Sequence, residues 1–105
     1  MKTLVVLTNV PQRAVAERLA DMLVEKRLAA CVNILAPCRS VYRWKGAVQH
    51  EEEHPMLIKT TAERYPALEQ ALRAAHPYEL PEIVALGAEQ GLPAYLEWIA
   101  SETRP

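Results

Sequence analysis

Two stretches of the chain repeat apolar residues at the spacing of a helix with one buried side. The first begins behind Pro11 and runs from Gln12 to about Arg27. Its apolar residues fall at i, i+4, i+7 and i+8, which places them on one side of a helix; they are Val15, Leu19, Met22 and Leu23. The second repeat follows the same rule with Leu68, Ala71, Leu72 and Ala75. Thr60 and Glu63, three residues apart, predict a capping box at the start of that second helix.

Four segments have the apolar and β-branched composition of strands. They are Thr3 to Thr8, Ala29 to Trp44 with an interruption around residues 36–38, Val48 to Thr60, and Ile83 to Leu86. A turn is expected at residues 45–47, and a short C-terminal helix is expected to begin at residues 91–93. The order β-α-β-β-α-β plus this helix predicts an α+β, ferredoxin-like domain, in which an antiparallel sheet carries both main helices on one face.

The hairpin of the second and third predicted strands is long for a chain of this size. A return strand of about thirteen residues spans roughly 40 Å, whereas a domain of 105 residues has a diameter of roughly 35 Å. The tip carries Val41, Tyr42, Trp44 and Val48. We therefore expect the hairpin to project and to pair with a neighbour in a closed homo-oligomer. The alternative is a shorter, bulged hairpin that stays on its own domain.

Composition narrows the class of protein. The length predicts one domain over residues 1–105. Twelve basic and thirteen acidic residues give a formal net charge of −1, which argues against a nucleic-acid partner. The apolar runs are too short for a membrane span or a signal peptide, so a cytoplasmic protein is expected. Cys31 and Cys38 are too few to predict a disulfide scaffold.

Residues 50–54 match the H-E-x-x-H pattern of zinc proteases. That pattern needs a helix, which sets both imidazoles on one face, but the surroundings predict a strand. On a strand His50 and His54 stand about 13 Å apart, too far to share one ion. The three glutamates between them are interpreted as a solvated face. Because Glu52 shares a side with both histidines, a weak surface metal site is the alternative.

Residues 76–83 combine an imidazole, a phenol, two carboxylates and two prolines. Each proline fixes its own backbone and holds the preceding residue extended, so His76 and Leu80 lie in a stiff loop. Such loops commonly carry binding chemistry; the alternative is that the prolines simply end a helix. In a ferredoxin-like sheet the first and last strands are neighbours, which predicts that Thr8 lies near His76.

Five blocks of the sequence together resemble the CutA family of divalent-cation tolerance proteins. The blocks are Ala29-Ala30-Cys31-Val32-Asn33-Ile34, Ser40-x-Tyr42-x-Trp44-x-Gly46, Lys59-Thr60, His76-Pro77-Tyr78-x-x-Pro81-Glu82-Ile83 and Tyr95-Leu96-x-Trp98. The resemblance implies a ferredoxin-like homotrimer related to PII signalling proteins. It also implies a cytoplasmic role in tolerance to divalent metals, particularly copper, without a well-established reaction.

Carried over by position, the resemblance makes His76 a metal-linked residue. Some members have a cysteine and a second histidine where this chain has Thr8 and Ala75. A tight copper site needs thiolate or imidazole partners, so weak or differently composed Cu²⁺ binding is expected. Glu79, Glu82 or another subunit would complete the site.

A shared pocket is a further hypothesis. Lys59, His76, Tyr78 and Glu82 would line an intersubunit cleft, with Trp44 or Trp98 from a neighbour, and Lys59 would pair with Glu82. The alternative is that the aromatic residues form interface core. Such a cleft would suit a PII-like sensor of a small anionic metabolite. A small ferredoxin-like hydrolase is a third, less favoured function, because the loop after the first strand has Arg13 but no glycine-rich cradle.

Overall fold

The computed structural model describes residues 2–105 and confirms the predicted α+β, ferredoxin-like order of elements. Its bounds are β1 (Thr3–Val10), α1 (Arg13–Glu25), β2 (Cys31–Ile34), β3 (Cys38–Trp44), β4 (Ala47–Thr61), α2 (Tyr65–Ala75), β5 (Val84–Gly87) and α3 (Pro93–Glu102). The interruption expected around residues 36–38 separates β2 from β3. Among the described residues, no helix is long and apolar enough to cross a membrane.

Strand β4 organises the antiparallel sheet. The order of strands is β2-β4-β1-β5, and β3 pairs with the outer part of β4. The inner part of β4 lies between β2 and β1, so that Ile58 faces Val32 on one side and Val6 on the other. The outer part pairs only with β3, from Cys38 opposite Glu53 to the turn. One strand of fifteen residues therefore belongs to both the body of the domain and a projecting hairpin.

The core lies between one face of the sheet and the helices α1 and α2. Val6 and Ile58 point from the sheet towards Leu19 of α1 and Leu72 of α2, and all four are essentially inaccessible to solvent. Residues of the opposite parity point to the other face, where Val84 and Leu86 of β5 remain 47% and 53% exposed. A single chain thus buries one face of its sheet and leaves apolar side chains on the other.

The hairpin of β3 and residues 47–54 of β4 projects from this body; we call it the arm. The domain measures 44 Å in its longest direction against 25 and 23 Å in the others. The predicted turn is present, and Lys45 and Gly46 adopt the positive φ angles of 50° and 82° that suit a tight hairpin turn. Val41 and Val48 on the arm are exposed. The prediction of a long, projecting hairpin is confirmed.

The predicted capping box is wrong. Strand β4 continues through Thr61, and the hydroxyl of Thr60 donates to the carbonyl of Leu28 at 2.7 Å. Helix α2 begins only at Tyr65, with Pro66 in its first turn and no side-chain cap. Pairing of Thr60 with Leu4 in the sheet therefore outweighs the local capping signal.

Candidate functional site

Residues 76–83, which we call the site loop, cross the end of β1 as the sequence predicts. The backbone N–H of His76 donates to the carbonyl of Leu72 at 2.9 Å and so ends helix α2. Its ring then lies against Asn9, the residue after Thr8. The juxtaposition of the first strand's end with His76 is confirmed.

Both ring nitrogens of His76 are engaged. Nδ1 accepts the backbone N–H of Tyr78 at 3.2 Å, so the ring proton sits on Nε2, which donates to the carbonyl of Asn9 at 2.9 Å. Burial lowers the pKa of His76, although the bond to Asn9 and nearby Glu53 oppose that shift. The imidazole is thus a neutral brace between the site loop and β1. Neither nitrogen offers a free lone pair to a metal in this arrangement.

The phenol of Tyr78 reaches from the site loop to the arm. It donates to the carboxylate of Glu53 at 2.8 Å, and Glu53 itself is only 6% exposed. Burial and the neighbouring Glu53 raise the pKa of Tyr78 well above its ordinary value. The phenol therefore stays protonated, and it holds a buried carboxylate at the base of the arm.

A hollow of about 660 Å³ lies between the arm and the site loop; we call it the arm–loop hollow. Its lining includes the aromatic side chains of Tyr42, Trp44 and Tyr78 and the four carboxylates of Glu51, Glu53, Glu79 and Glu82. Arg43 is the basic residue that lines it. The arm bends towards the loop, since Lys45 Nζ lies 3.6 Å from Glu79 and 5.5 Å from the centre of the Trp44 ring. The hollow is open, aromatic and acidic.

The three residues predicted to bind metal lie close together but do not form a site within one chain. Glu79 and Glu82 line the arm–loop hollow, whereas His76 does not. Glu82 accepts from the side chain of Asn9 at 3.2 Å, and Glu79 faces Lys45. Within residues 2–105, no three His, Cys, Asp or Glu side chains are close enough to hold an ion. The donor set of a single chain does not fit a resident metal.

The predicted cleft residues are divided among three places. Tyr78 and Trp44 line the arm–loop hollow. Lys59 lies opposite Cys31 in the sheet and donates to the side chain of Asn33. The predicted Lys59–Glu82 ion pair is therefore absent within the described chain, because the register of β2 and β4 directs Lys59 to a different partner. Trp98 stacks on Tyr95 of α3 and borders a second, smaller hollow beside α1.

Thr8 and Ala75 stand at the two positions where some members of the resembled family have a cysteine and a histidine. Thr8 is buried opposite Met56, and its hydroxyl has no hydrogen-bond partner within residues 2–105. Ala75 is the exposed last residue of α2. Neither side chain supplies a metal ligand comparable to a thiolate or an imidazole.

The H-E-x-x-H match lies in strand β4, as expected, and not in a helix. Alternation along the strand places His50, Glu52 and His54 on one face of the arm and Glu51 and Glu53 on the other. The face with Glu51 and Glu53 is the one that lines the arm–loop hollow. The zinc-protease interpretation is excluded by this geometry.

Residues of the hollow that sequence reasoning did not single out include Asn9, Tyr42, Glu51 and Glu53. Glu53 carried the weakest signal, because a run of three glutamates is usually solvated. Tyr42 stood in the block Ser40-x-Tyr42-x-Trp44-x-Gly46, where the alternation of an arm strand places it beside Trp44. The periodicity thus contained Tyr42 as a candidate.

Comparisons with known proteins agree over nearly the whole chain. The family described as CutA1 divalent ion tolerance protein matches residues 4–102. The divalent-cation tolerance protein CutA of Thermus thermophilus is 48% identical over 99 residues, which are 94% of this chain and 96% of that protein. A solved Cut A1 structure from that organism has a TM-score of 0.95 and 46% identity, covering 97% of this chain and 99% of that one. Protein CutA of Mus musculus is 46% identical over 89% of this chain, which spans about half of the mouse protein, 52%.

Proposed function

The chain belongs to the CutA1 divalent ion tolerance family, and on that premise we propose that it supports tolerance to divalent cations as a copper-binding homotrimer. The observation that carries the proposal is the presence of four carboxylates in the lining of the arm–loop hollow. Clefts lined by one sign of charge concentrate ions of the opposite sign. The hollow is therefore the part of the surface that favours a cation.

Glu79 and Glu82 are the ligands that this proposal assigns to the chain itself. Both belong to the site loop, and both carboxylates line the hollow. Oxygen ligands bind Cu²⁺ more strongly than the other common divalent ions of the first transition row, although less tightly than sites that include thiolate or imidazole. Weak, exchangeable copper binding follows. His76 acts beneath the site as the brace that fixes the loop.

A second and a third chain would complete the site. The exposed Val41 on the arm and Val84 and Leu86 on β5 are apolar surface of the kind that interfaces between subunits cover. A neighbour seated there would bring further oxygen or nitrogen ligands to the mouth of the hollow. Closed association also protects the unpaired edges of the arm.

The alternative function, a PII-like sensor of a small anionic metabolite, is less well supported. The four carboxylates repel an anion from the arm–loop hollow, and Arg43 alone among its lining residues would attract one. An anionic ligand would need a different surface, such as the one around Lys59.

Calorimetric titration of metal-stripped protein tests the proposal. Wild type is expected to bind Cu²⁺ more tightly than Zn²⁺ or Mg²⁺, and a double variant Glu79→Gln, Glu82→Gln should bind it at least about tenfold more weakly. Glu25→Gln, at the exposed end of α1, is the matched control and should retain wild-type affinity. Light scattering should give a particle of three 11.8-kDa chains.

Two outcomes would contradict the proposal. Copper affinity equal in wild type and in the double variant would remove Glu79 and Glu82 as ligands. Binding of a nucleotide or carboxylic-acid metabolite in place of copper, at one per chain, would favour the sensor.

A further inference from the structure

Glu53 is a buried carboxyl group without a basic side chain paired to it in the described part of the chain. Its side chain lines the arm–loop hollow and is 6% exposed. Its one side-chain hydrogen bond within residues 2–105 comes from Tyr78 at 2.8 Å. No Lys, Arg or His of that range forms an ion pair with it. Buried carboxylates are almost always paired with a cation, so the floor of this hollow lacks a counter-charge.

The hollow that Glu53 lines also has three aromatic side chains in its lining. Tyr42 and Trp44 belong to the arm, Tyr78 belongs to the site loop, and all three line the hollow. Aromatic faces attract organic cations through their ring quadrupole, most strongly where water is excluded. A metal ion gains little from such walls, since it retains its water or oxygen ligands. The combination of aromatic walls and a buried carboxylate is instead the chemistry that holds an alkylated ammonium group.

Lys45 already places an ammonium group at the rim. Its Nζ lies 5.5 Å from the centre of the Trp44 ring and 3.6 Å from a carboxylate oxygen of Glu79. The side chain is largely exposed, so the contact is readily exchanged. Lys45 itself does not line the hollow, but its ammonium group contacts two residues that do, Trp44 and Glu79, and a bound cation would compete with it for them.

We propose that the arm–loop hollow binds a small organic ammonium cation, with Glu53 as the counter-charge and Tyr42, Trp44 and Tyr78 as the aromatic walls. Its volume of about 660 Å³ lies within the range of small-molecule pockets. The site shares the hollow with the proposed copper ligands, but Glu53 is not one of those ligands, so Glu53→Gln and the Glu79→Gln, Glu82→Gln double variant test the two proposals separately. Either proposal can fail while the other holds.

Three probes of similar shape and different charge test the proposal. They are benzyltrimethylammonium, benzyl alcohol and benzoate, each titrated calorimetrically into metal-free wild-type protein in the presence of a chelator. The cation should bind at one per chain and at least about tenfold more tightly than the neutral alcohol. Benzoate should not bind. Equal affinity for the cation and the alcohol would overturn the proposal, because it would show an apolar hollow without charge recognition.

Variants locate the site. Glu53→Gln keeps an acceptor for Tyr78 and removes the charge, so the affinity for benzyltrimethylammonium should fall about tenfold while that for benzyl alcohol is unchanged. Glu25→Gln, which also replaces one carboxylate with an amide, is the control and should leave both affinities unchanged. Tyr42→Leu, on the exposed arm, should lower the affinity for benzyltrimethylammonium about threefold to tenfold without altering the fold. Lys45→Met removes the internal competitor and should strengthen binding by about twofold to fivefold.

The comparison of benzyltrimethylammonium with ammonium ion, titrated as a fourth probe, is the sharpest part of the test. A merely electrostatic surface would also gain from the loss of Lys45, but it would bind ammonium and benzyltrimethylammonium ions alike. Preference for the methylated aromatic cation, lost in Glu53→Gln and in Tyr42→Leu, supports the site. Unchanged affinity in both variants would overturn it, as would a solved assembly in which a neighbour's Lys or Arg lies on Glu53 and no probe binds.

Discussion

The two halves of strand β4 have similar lengths and opposite surroundings. In the inner half, Met56 and Ile58 alternate with half-buried residues and are fully buried beneath α1 and α2. In the outer half, Val48 is 51% exposed, and three charged residues follow it. The difference lies in what covers each half, because only the inner half has strands on both sides and helices above.

This contrast separates stability from binding within a single strand. The inner half contributes the apolar burial that holds the domain together. The outer half contributes little burial of its own, yet it carries Glu51 and Glu53 to the arm–loop hollow. Substitutions in the inner half should therefore change mainly the free energy of unfolding, and substitutions in the outer half should change mainly ligand affinity.

The largest expected effect comes from the inner half. Replacing Ile58 with Ala removes a side chain that has no exposed surface and should lower the free energy of unfolding by about 2 to 5 kcal/mol. Replacing Val48 with Ala should lower it by less than about 0.5 kcal/mol in dilute protein. Urea unfolding followed by circular dichroism measures both changes. Equal losses of unfolding free energy in the two variants would contradict the distinction between the halves. A loss in Val48→Ala that appears only at high protein concentration would show that a neighbouring chain stabilises the arm.

A smaller loss of unfolding free energy is expected from the His76 brace between the site loop and β1. In His76→Ala the carbonyl of Asn9 and the N–H of Tyr78 lose their partner, which should cost about 2 to 3 kcal/mol of unfolding free energy. His50→Ala, on the exposed outer half of β4, is the matched control and should change that energy by less than about 0.5 kcal/mol. A His76→Ala variant as stable as the control would show that the brace contributes nothing.

The brace should also respond to acid. Burial lowers the pKa of His76 below its ordinary value of 6.5, so between these two values the unfolded chain binds a proton that the folded chain does not. This group should leave stability unaffected above about pH 6.5 and reduce it as the pH falls through the lowered pKa. The urea midpoint of wild type should therefore fall more between about pH 7.5 and about pH 5 than that of His76→Gln. Parallel profiles would refute a buried, neutral His76.

The smallest effect is expected where the arm meets the site loop at the surface. The Lys45–Glu79 ion pair has both side chains about 70% exposed, 69% and 72%, and such pairs contribute about 0 to 1 kcal/mol. Lys45→Met should shift the urea midpoint within experimental error. A loss of unfolding free energy comparable to that of His76→Ala would mean that the Lys45–Glu79 pair contributes as much to stability as the His76 brace.

Much of the fold could be predicted from periodicity alone. The repeats of α1 and α2 placed Leu19 and Leu72 in the core, and the length of the return strand predicted a projecting arm. The capping box failed because its signal is local. The hydroxyl of Thr60 donates instead to the backbone carbonyl of Leu28. No pattern of neighbouring residues reveals a partner 32 positions away.

The candidate site was predictable in position but not in chemistry. Topology placed His76 at the end of β1, yet whether its nitrogens are free depends on Asn9 and on the backbone of Tyr78. Alternation assigned Glu53 to one face of a strand, but its hydrogen bond from Tyr78 joins residues 25 positions apart. The partner of Lys59 within the chain was equally hidden from the sequence pattern, since the register of β2 and β4 directs it to Asn33.

Pulsed electron paramagnetic resonance of the Cu²⁺-loaded protein tests the division of roles most directly. Coordination by an imidazole produces a modulation from its remote nitrogen, and wild type can be compared with His76→Gln after circular dichroism confirms that both are folded. If the carboxylates at the mouth of the hollow bind the ion and His76 is only a brace, the two spectra should show the same nitrogen modulation. Modulation present in wild type and lost in His76→Gln would make His76 a ligand and contradict the structure's central feature.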